Sequence, residues 1–404
     1  MGTRLQVGVA ALCALAIVAS ASAGGAPGVT SKEILIGGTS PLSGIASAYA
    51  SVAKGADAYF KYVNAHGGVN GRKIKYKYID DGYEPQKTSE ATRQLVQQDR
   101  VFAIFNTLGT ETNLAIRSYL TAAQVPQLFV ASGATTWGRD YKKFPWTIGY
   151  QPSYIAEGTL YGKYIARLKP HARIAVLYQD DDYGKDLLTG LTKGLGKKAK
   201  LVIAKQGYDA LNDLDVKSQI SKLKGSKANT LMVFATPKFA IQSYGYAFQL
   251  GWRPLMITNG VSSASNVMQL AAAASSKKMI EGSISVVIWK DPGDPKWVKD
   301  PGVRLYKSIM RKYNSRGTVN DPYNVYGMAV AYTMVDTLKR AGKNLTRAGV
   351  MKAATTLNER SNPFLLPGIV VRTTSTNRFP IRQAKLERWH NGRWVTFGGL
   401  VKLG

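Results

Sequence analysis

The sequence predicts an α/β protein built on parallel sheets, and three observations carry that expectation. Short apolar runs rich in strand formers alternate with helix-period segments along nearly the whole chain, the pattern of strand–helix–strand units. The runs at 101–106 and 127–132 each end in a small, polar, glycine-containing turn, at 107–110 and 132–135. From about residue 153 the same architecture begins again with different residues, and 404 residues suffice for two domains.

Taken in order, residues 1–23 read as a secretory signal: Arg4, an apolar stretch over 7–18, and Ala21-Ser22-Ala23 as the cleavage site. The single cysteine, Cys13, falls inside it, so the processed chain has neither a disulfide nor a thiol nucleophile. A Gly/Pro linker leads to a strand at 33–38 and a turn over 39–44. Val52, Ala56, Tyr59, Phe60 and Val63 then form one apolar stripe, which predicts a helix. It stops at His66-Gly67-Gly68. Ile74, Tyr76 and Tyr78 alternate with lysines, a strand with one wet face, and Pro85 opens the next helix.

The 101–135 unit follows, with its helix over 112–123. An extended piece at 146–150 ends at Pro152, where the chain is expected to cross into the second domain. Helix 153–168, strand 173–178, a turn over 180–184 and helix 185–196 open the second series. Strands at 201–206, 230–235, 255–258 and 282–289 continue it. Helices are expected near 296–314, 321–341 and 346–356. The tail from 368 to 397 reads as strands with a hairpin at Asn391-Gly392.

Composition excludes more than it assigns. The 54 Lys and Arg against 25 Asp and Glu give a net charge of +29, or +28 after loss of Arg4. These charges are spread along the chain without a basic tail, a zinc-finger spacing or a basic helix. They read as a solvated surface rather than a nucleic-acid footprint. His66, His171 and His390 lie far apart, so no metal site and no cofactor is expected. No nucleophile elbow, phosphate-binding loop or dinucleotide fingerprint occurs. Asp180-Asp181-Asp182 reads as a helix cap, and most of the seven tryptophans and 22 tyrosines as core. The chemistry that is present is capture: strand-end turns with free N–H groups, one of them followed by a helix start that suits a carboxylate.

Five motifs in fixed order carry a resemblance. They are 36–44 (a strand, then Ser-Pro-Leu-Ser-Gly), Gly67-Gly68-Val69-Asn70-Gly71, Asp80-Asp81 before Glu84-Pro85, Ser132-Gly133-Ala134-Thr135, and Asp182-Tyr183-Gly184. With them the chain resembles the branched-chain amino acid-type solute-binding proteins of ABC transporters, type I periplasmic binding proteins. The resemblance implies two doubly wound α/β lobes with mainly parallel sheets, joined by a three-segment hinge. It implies a first lobe of 29–149 and 283–358, a second of 150–282, and a tail, 359–404, returning to the hinge and second lobe. It also implies a non-enzymatic, exported protein that closes on a small amino acid-like or carboxylate solute and delivers it to a membrane permease. Gly109, Thr110, Gly133, Ala134 and Thr135 would hold the ligand from the first lobe, with Ser43 and Tyr49 beside them. Tyr183, Thr236 and Asn259 would face it from the second, and Trp137 and Trp289 would bound its side chain. Two positions depart from the family pattern: Asn259 stands where amino-acid binders carry a glutamate for the ligand ammonium, and Thr236 where they carry a tyrosine. The departure points to an aromatic or aliphatic acid or a neutral amide such as urea, unless Asp181 or Asp182 replaces the glutamate. The same fold could also present its ligand to a membrane signalling receptor.

Overall fold

The computed structural model describes residues 25–403; the signal segment and Cys13 lie outside the described residues. Two sheets form two lobes. The first contains β1 (Glu33–Ser40), β2 (Lys73–Asp80), β3 (Ile104–Phe105), β4 (Gln127–Val130) and β5 (Thr147–Gly149) in the order β2-β1-β3-β4-β5. All its pairings are parallel. The second contains β6 (Ile174–Gln179), β7 (Val202–Tyr208), β8 (Thr230–Phe234), β9 (Leu255–Thr258) and β10 (Ile284–Val287). Beyond the small β11 (Asn358–Glu359) and β12 (Val371–Arg372) ribbon, β13 (Gln383–His390) and β14 (Arg393–Lys402) complete it as an antiparallel hairpin. Its order is β14-β13-β10-β9-β8-β6-β7.

Helices cover both sheets, as parallel strands buried on two faces require. α1 (Ala50–Ala65), α2 (Pro85–Arg93), α3 (Thr110–Ala122) and the short α4 (Thr136–Arg139) belong to the first lobe. α5 (Tyr154–Leu168), α6 (Asp182–Leu195), α7 (Lys217–Gly225), α8 (Pro237–Gln249), α9 (Ser265–Ala274) and α10 (Lys277–Ile280) belong to the second. α11 (Pro301–Tyr313), α12 (Pro322–Ala341) and α13 (Arg347–Ala354) return to the first, where α12 packs along α1. The α1 stripe is buried as its spacing requires, with Val52, Ala56, Tyr59, Phe60 and Val63 all in the core. α5 and α6 meet through glycines: a Cβ on Gly190 would sit 2.3 Å from Ile155 O, and one on Gly162 2.4 Å from Leu191 O.

Two local expectations are corrected. The strand at 282–289 was expected to lead back into the first lobe at 283. Instead β10 pairs parallel with β9 and antiparallel with β13, so the return comes at 288–290. The turn expected at 180–184 is shorter, because Asp181 caps α6: its Oδ1 accepts from Tyr183 N at 3.0 Å and Gly184 N at 3.2 Å.

The chain passes between lobes after β5, after β10 and after β12. The second passage is stitched to the segment between β11 and β12: Leu366 N donates to Ile288 O at 2.9 Å, and Lys290 N donates to Phe364 O at 3.1 Å. Beside them Glu359 is buried against α12. Its Oε1 accepts from Thr333 Oγ1 at 3.0 Å and Asn362 Nδ2 at 2.8 Å, while Oε2 has no partner. Burial pushes this carboxyl up to about 7 from 4.5. Between those values the folded chain holds a proton that the unfolded chain releases, so stability falls as pH rises through that window. Glu359→Gln should remove this share of the pH dependence, at most roughly 3 kcal/mol. Urea denaturation of parent and variant at pH 5 and 7.5 checks it; equal pH dependence in both would show that Glu359 stays ionised in the fold.

Candidate ligand-binding cleft

The carboxyl ends of the parallel strands of both sheets face one another, and the cavity between them has a free volume of only about 40 Å³. The lobes are therefore closed on each other. Tyr49 Oη and Tyr323 Oη, from the first lobe, both donate to Val261 O, at 3.0 and 2.8 Å. Thr135 N donates to Asp186 Oδ2 at 2.7 Å, and Gln179 Nε2 reaches Tyr83 Oη at 3.4 Å.

The first lobe supplies the polar end of the cavity. α3 begins at Gly109, whose φ of 109° suits only glycine, and no side chain caps the helix. A Cβ on Gly109 would lie 2.5 Å from Thr112 Oγ1 and 2.7 Å from the Tyr83 ring. Gly109 and Thr110 line the cavity at this uncapped, positive helix end. Thr110 Oγ1 is tethered to Ser132 Oγ at 2.8 Å. On the next strand a bulge between Gln127 and Val130 places Phe129 at φ 57°, its carbonyl held by Asn106 Nδ2 at 2.7 Å. Ala131 follows on the cavity wall.

The rest of the wall is aromatic. Tyr49, Tyr83, Tyr323 and Tyr326 come from the first lobe and Tyr154 and Tyr183 from the second, with Trp289 at the return passage. Tyr49 and Tyr323 meet edge-to-face at 5.0 Å, Tyr154 and Tyr183 lie 5.0 Å apart, and Trp289 meets Tyr326 at 5.8 Å. Burial raises these phenols, Tyr326 to about 12 and the others further, so they remain neutral. Among the described residues no Asp, Glu, Lys, Arg or His lines this cavity. Two buried hydroxyls on its wall, Thr236 Oγ1 and Tyr326 Oη, make no hydrogen bond. Buried polar atoms of this kind are normally satisfied, and a bound solute would satisfy them.

Of the residues expected to hold ligand, Tyr49, Gly109, Thr110, Tyr183 and Thr236 line the cavity together. The other five are turned to different work. Ser43 Oγ donates to Asp80 Oδ2 at 2.6 Å and fixes the turn after β1. Gly133 O accepts from Tyr154 N at 2.7 Å, and a Cβ on Gly133 would lie 2.3 Å from Pro152 O, so it packs against the passage between lobes. Ala134 is buried, with its N–H on Ser132 Oγ at 3.1 Å. Thr135 bridges to the second lobe through Asp186 and, by Oγ1, through Ser153 Oγ at 2.7 Å. Asn259 is buried behind Tyr183; with its amide oriented so that both ends are satisfied, its oxygen accepts from Tyr183 Oη at 2.9 Å and its nitrogen donates to Val233 O at 3.1 Å and Ala235 O at 3.2 Å.

Asn259 thus orients a wall residue rather than facing the cavity. Asp181 is committed to capping α6 and to Gln179 Nε2 at 2.6 Å, so it does not stand in for the missing glutamate. Trp137 packs under Arg117 with Nε1 on Ser132 Oγ at 3.0 Å, while Trp289 reaches the cavity. The tyrosines of α12, and Tyr83 and Tyr154, were read as core. Their signal was present only as the unusual tyrosine content.

Replacing Tyr49 and Tyr323 together by Phe removes two cross-lobe hydrogen bonds, about 2 kcal/mol in total. The double variant should scatter X-rays with a larger radius of gyration than the parent without ligand. An unchanged radius would show that the closed arrangement does not depend on these bonds.

The comparisons agree with this architecture. A family model described as periplasmic binding protein matches residues 33–393. An amino acid binding protein of Pseudomonas aeruginosa is 22% identical over 326 residues, spanning 77% of this chain and 80% of that protein. Leu/Ile/Val-binding protein homolog 2 of Brucella abortus is 22% identical over 340 residues, 83% of this chain and 85% of that one. Among solved structures, a branched chain amino acid ABC transporter protein from Thermus thermophilus with bound valine superposes with TM-score 0.79 at 18% identity, over 93% of this chain and 97% of that chain. A fatty acid ABC transporter substrate-binding protein from Thermomonospora curvata gives 0.78 at 21%, over 94% and 95%. A solute-binding protein from R. palustris in complex with 4-hydroxybenzoate gives 0.74 at 15%, over 92% and 97%. Two α/β lobes, a cleft at the strand ends and a family match along nearly the whole described chain lead to one conclusion: this chain belongs to the periplasmic binding protein family, whose members matched here are solute-binding proteins and not enzymes.

Proposed function

We propose that this protein is the extracytoplasmic solute-binding component of an ABC importer and that it captures a small carboxylic acid with an apolar or aromatic body. The observation that carries the reading is the wall of the cavity: an uncapped helix end at Gly109 and Thr110, six tyrosines and Trp289, with no charged side chain. A carboxylate at a helix N-terminus gains up to about 2 kcal/mol from the backbone dipoles. The aromatic faces bury the body of the solute. An α-ammonium in the same space would lie unpaired in a low-dielectric site, at a cost of several kcal/mol. The acid therefore fits where the amino acid does not.

The relatives support the first part of the reading and leave the ligand class open, from amino acids to other acids. Solutes named with three of the similar structures are valine, a fatty acid and 4-hydroxybenzoate, all on one fold. In the proposed cycle the lobes swing about the three passages, close on the solute, and present it to a membrane permease. The 1–23 signal directs export and is removed on translocation, and the chain works in the periplasm or cell envelope. A neutral amide such as urea is the second reading, since an uncharged wall suits it too; the apolar area favours the acid. Presentation of the solute to a signalling receptor would use the same cleft and differ only in partner.

A thermal-shift screen of the processed chain against aromatic acids, aliphatic acids, amino acids and amides tests the reading. An aromatic or aliphatic acid should raise the melting temperature, with about 2.7 kcal/mol of stabilisation at a hundred times the dissociation constant. Stabilisation by amino acids alone would overturn the assignment of ligand class. No stabilisation by any compound would move the function to a protein partner.

A further inference from the structure

A second, smaller cavity opens off the cleft. It shares Gln151, Val261 and Trp289 with the main cavity and continues inward to Val286, Ile288 and Glu157. Its free volume of about 30 Å³ leaves room for a hydroxyl or an amine. Glu157 is the charged side chain on the wall of either chamber. It is 4% exposed, and both of its hydrogen bonds end on the same oxygen: Oε1 accepts from Gly260 N at 2.7 Å and Tyr161 Oη at 2.8 Å. Among the described residues Oε2 accepts none.

An ionised carboxylate has only acceptors to offer, so the group that completes this chamber is a donor. The chamber shares Gln151, Val261 and Trp289 with the aromatic cleft, so a solute held in the cleft borders it. The α3 end borders the outer cavity alone, and Glu157 the inner chamber alone. We infer that Glu157 is a specificity-determining residue, selecting acids that carry a hydroxyl or amine at the end remote from the carboxylate. The inference rests on the acid-binding reading of the cleft and narrows it. An α-amino group does not meet this requirement, because it stays beside the carboxylate in the outer cavity. Burial raises the Glu157 carboxyl to about 7, and a ligand donor in the chamber favours its ionised form.

Calorimetric titration with benzoate and 4-hydroxybenzoate, on the parent and on Glu157→Gln, tests it. Gln keeps an acceptor for Gly260 N and turns the free oxygen into a donor. The parent should bind 4-hydroxybenzoate at least about tenfold tighter than benzoate. Glu157→Gln should bring the two within about threefold of each other. Equal binding of both acids by the parent, or an unchanged ratio in the variant, would overturn the role of Glu157 and leave the cleft reading standing. Binding of neither acid would overturn the cleft reading and this inference with it. If Glu157→Gln does not fold, Val286→Ile supplies the test: its extra methylene fills the chamber and should remove the preference for the hydroxylated acid, and a retained preference would overturn the inference.

Discussion

The closed arrangement depends on a turn of three residues. After β9 the chain runs Asn259-Gly260-Val261, and each residue ties down a different part of the molecule. The Asn259 amide holds the Tyr183 hydroxyl, Gly260 N–H bonds to Glu157 on α5, and Val261 O receives Tyr49 and Tyr323 across the cleft. Main-chain and side-chain groups of one short turn thus set the position of a wall residue, the attachment of α5 and the contact between lobes. Gly260 N–H is buried and Val261 O partly buried, and both would be costly to leave unpaired, which makes the turn a stiff connector between site and closure.

From that constraint the chemistry of the cleft follows. With the neutral Asn259 drawn back against Tyr183, the second lobe lines the main cavity with tyrosine hydroxyls, Thr236 and Gln151, and its Glu157 carboxylate lines the adjoining chamber instead. The surface of the protein is strongly cationic while the main cavity is lined by neutral groups. Surface charge therefore bears on where the protein resides and what approaches it. On the proposed reading, recognition inside the cleft rests on helix dipole, hydroxyls and aromatic area, which act more strongly in a low-dielectric site than in water.

Much of the fold was legible because it is written in local patterns. The α1 stripe, the Pro85 helix start and the Asn391-Gly392 hairpin are each decided by a few neighbouring residues. The strand-end groups Gly109 and Thr110 were legible for the same reason. Membership of β10 was not, since a buried apolar strand carries no mark of the sheet it joins. Nor were Tyr323 and Tyr326: a tyrosine on the buried stripe of a long helix reads as core until the opposite lobe is placed against it. Asn259 was located on the right strand end but with the wrong facing, because the carbonyls of Val233 and Ala235 compete for its amide. Thr135 illustrates the same limit, with Asp186 and Ser153 as its partners.

The central claim is that the cleft takes a carboxylate and refuses an α-ammonium. Calorimetric titration of the processed chain with 3-phenylpropanoate and with phenylalanine, which differ by that one group, tests it most directly. The account predicts measurable binding of the acid and none, or binding weaker by at least about a hundredfold, for the amino acid. Equal or tighter binding of phenylalanine would contradict it, and would mean that an acidic group reaches the ligand ammonium after all.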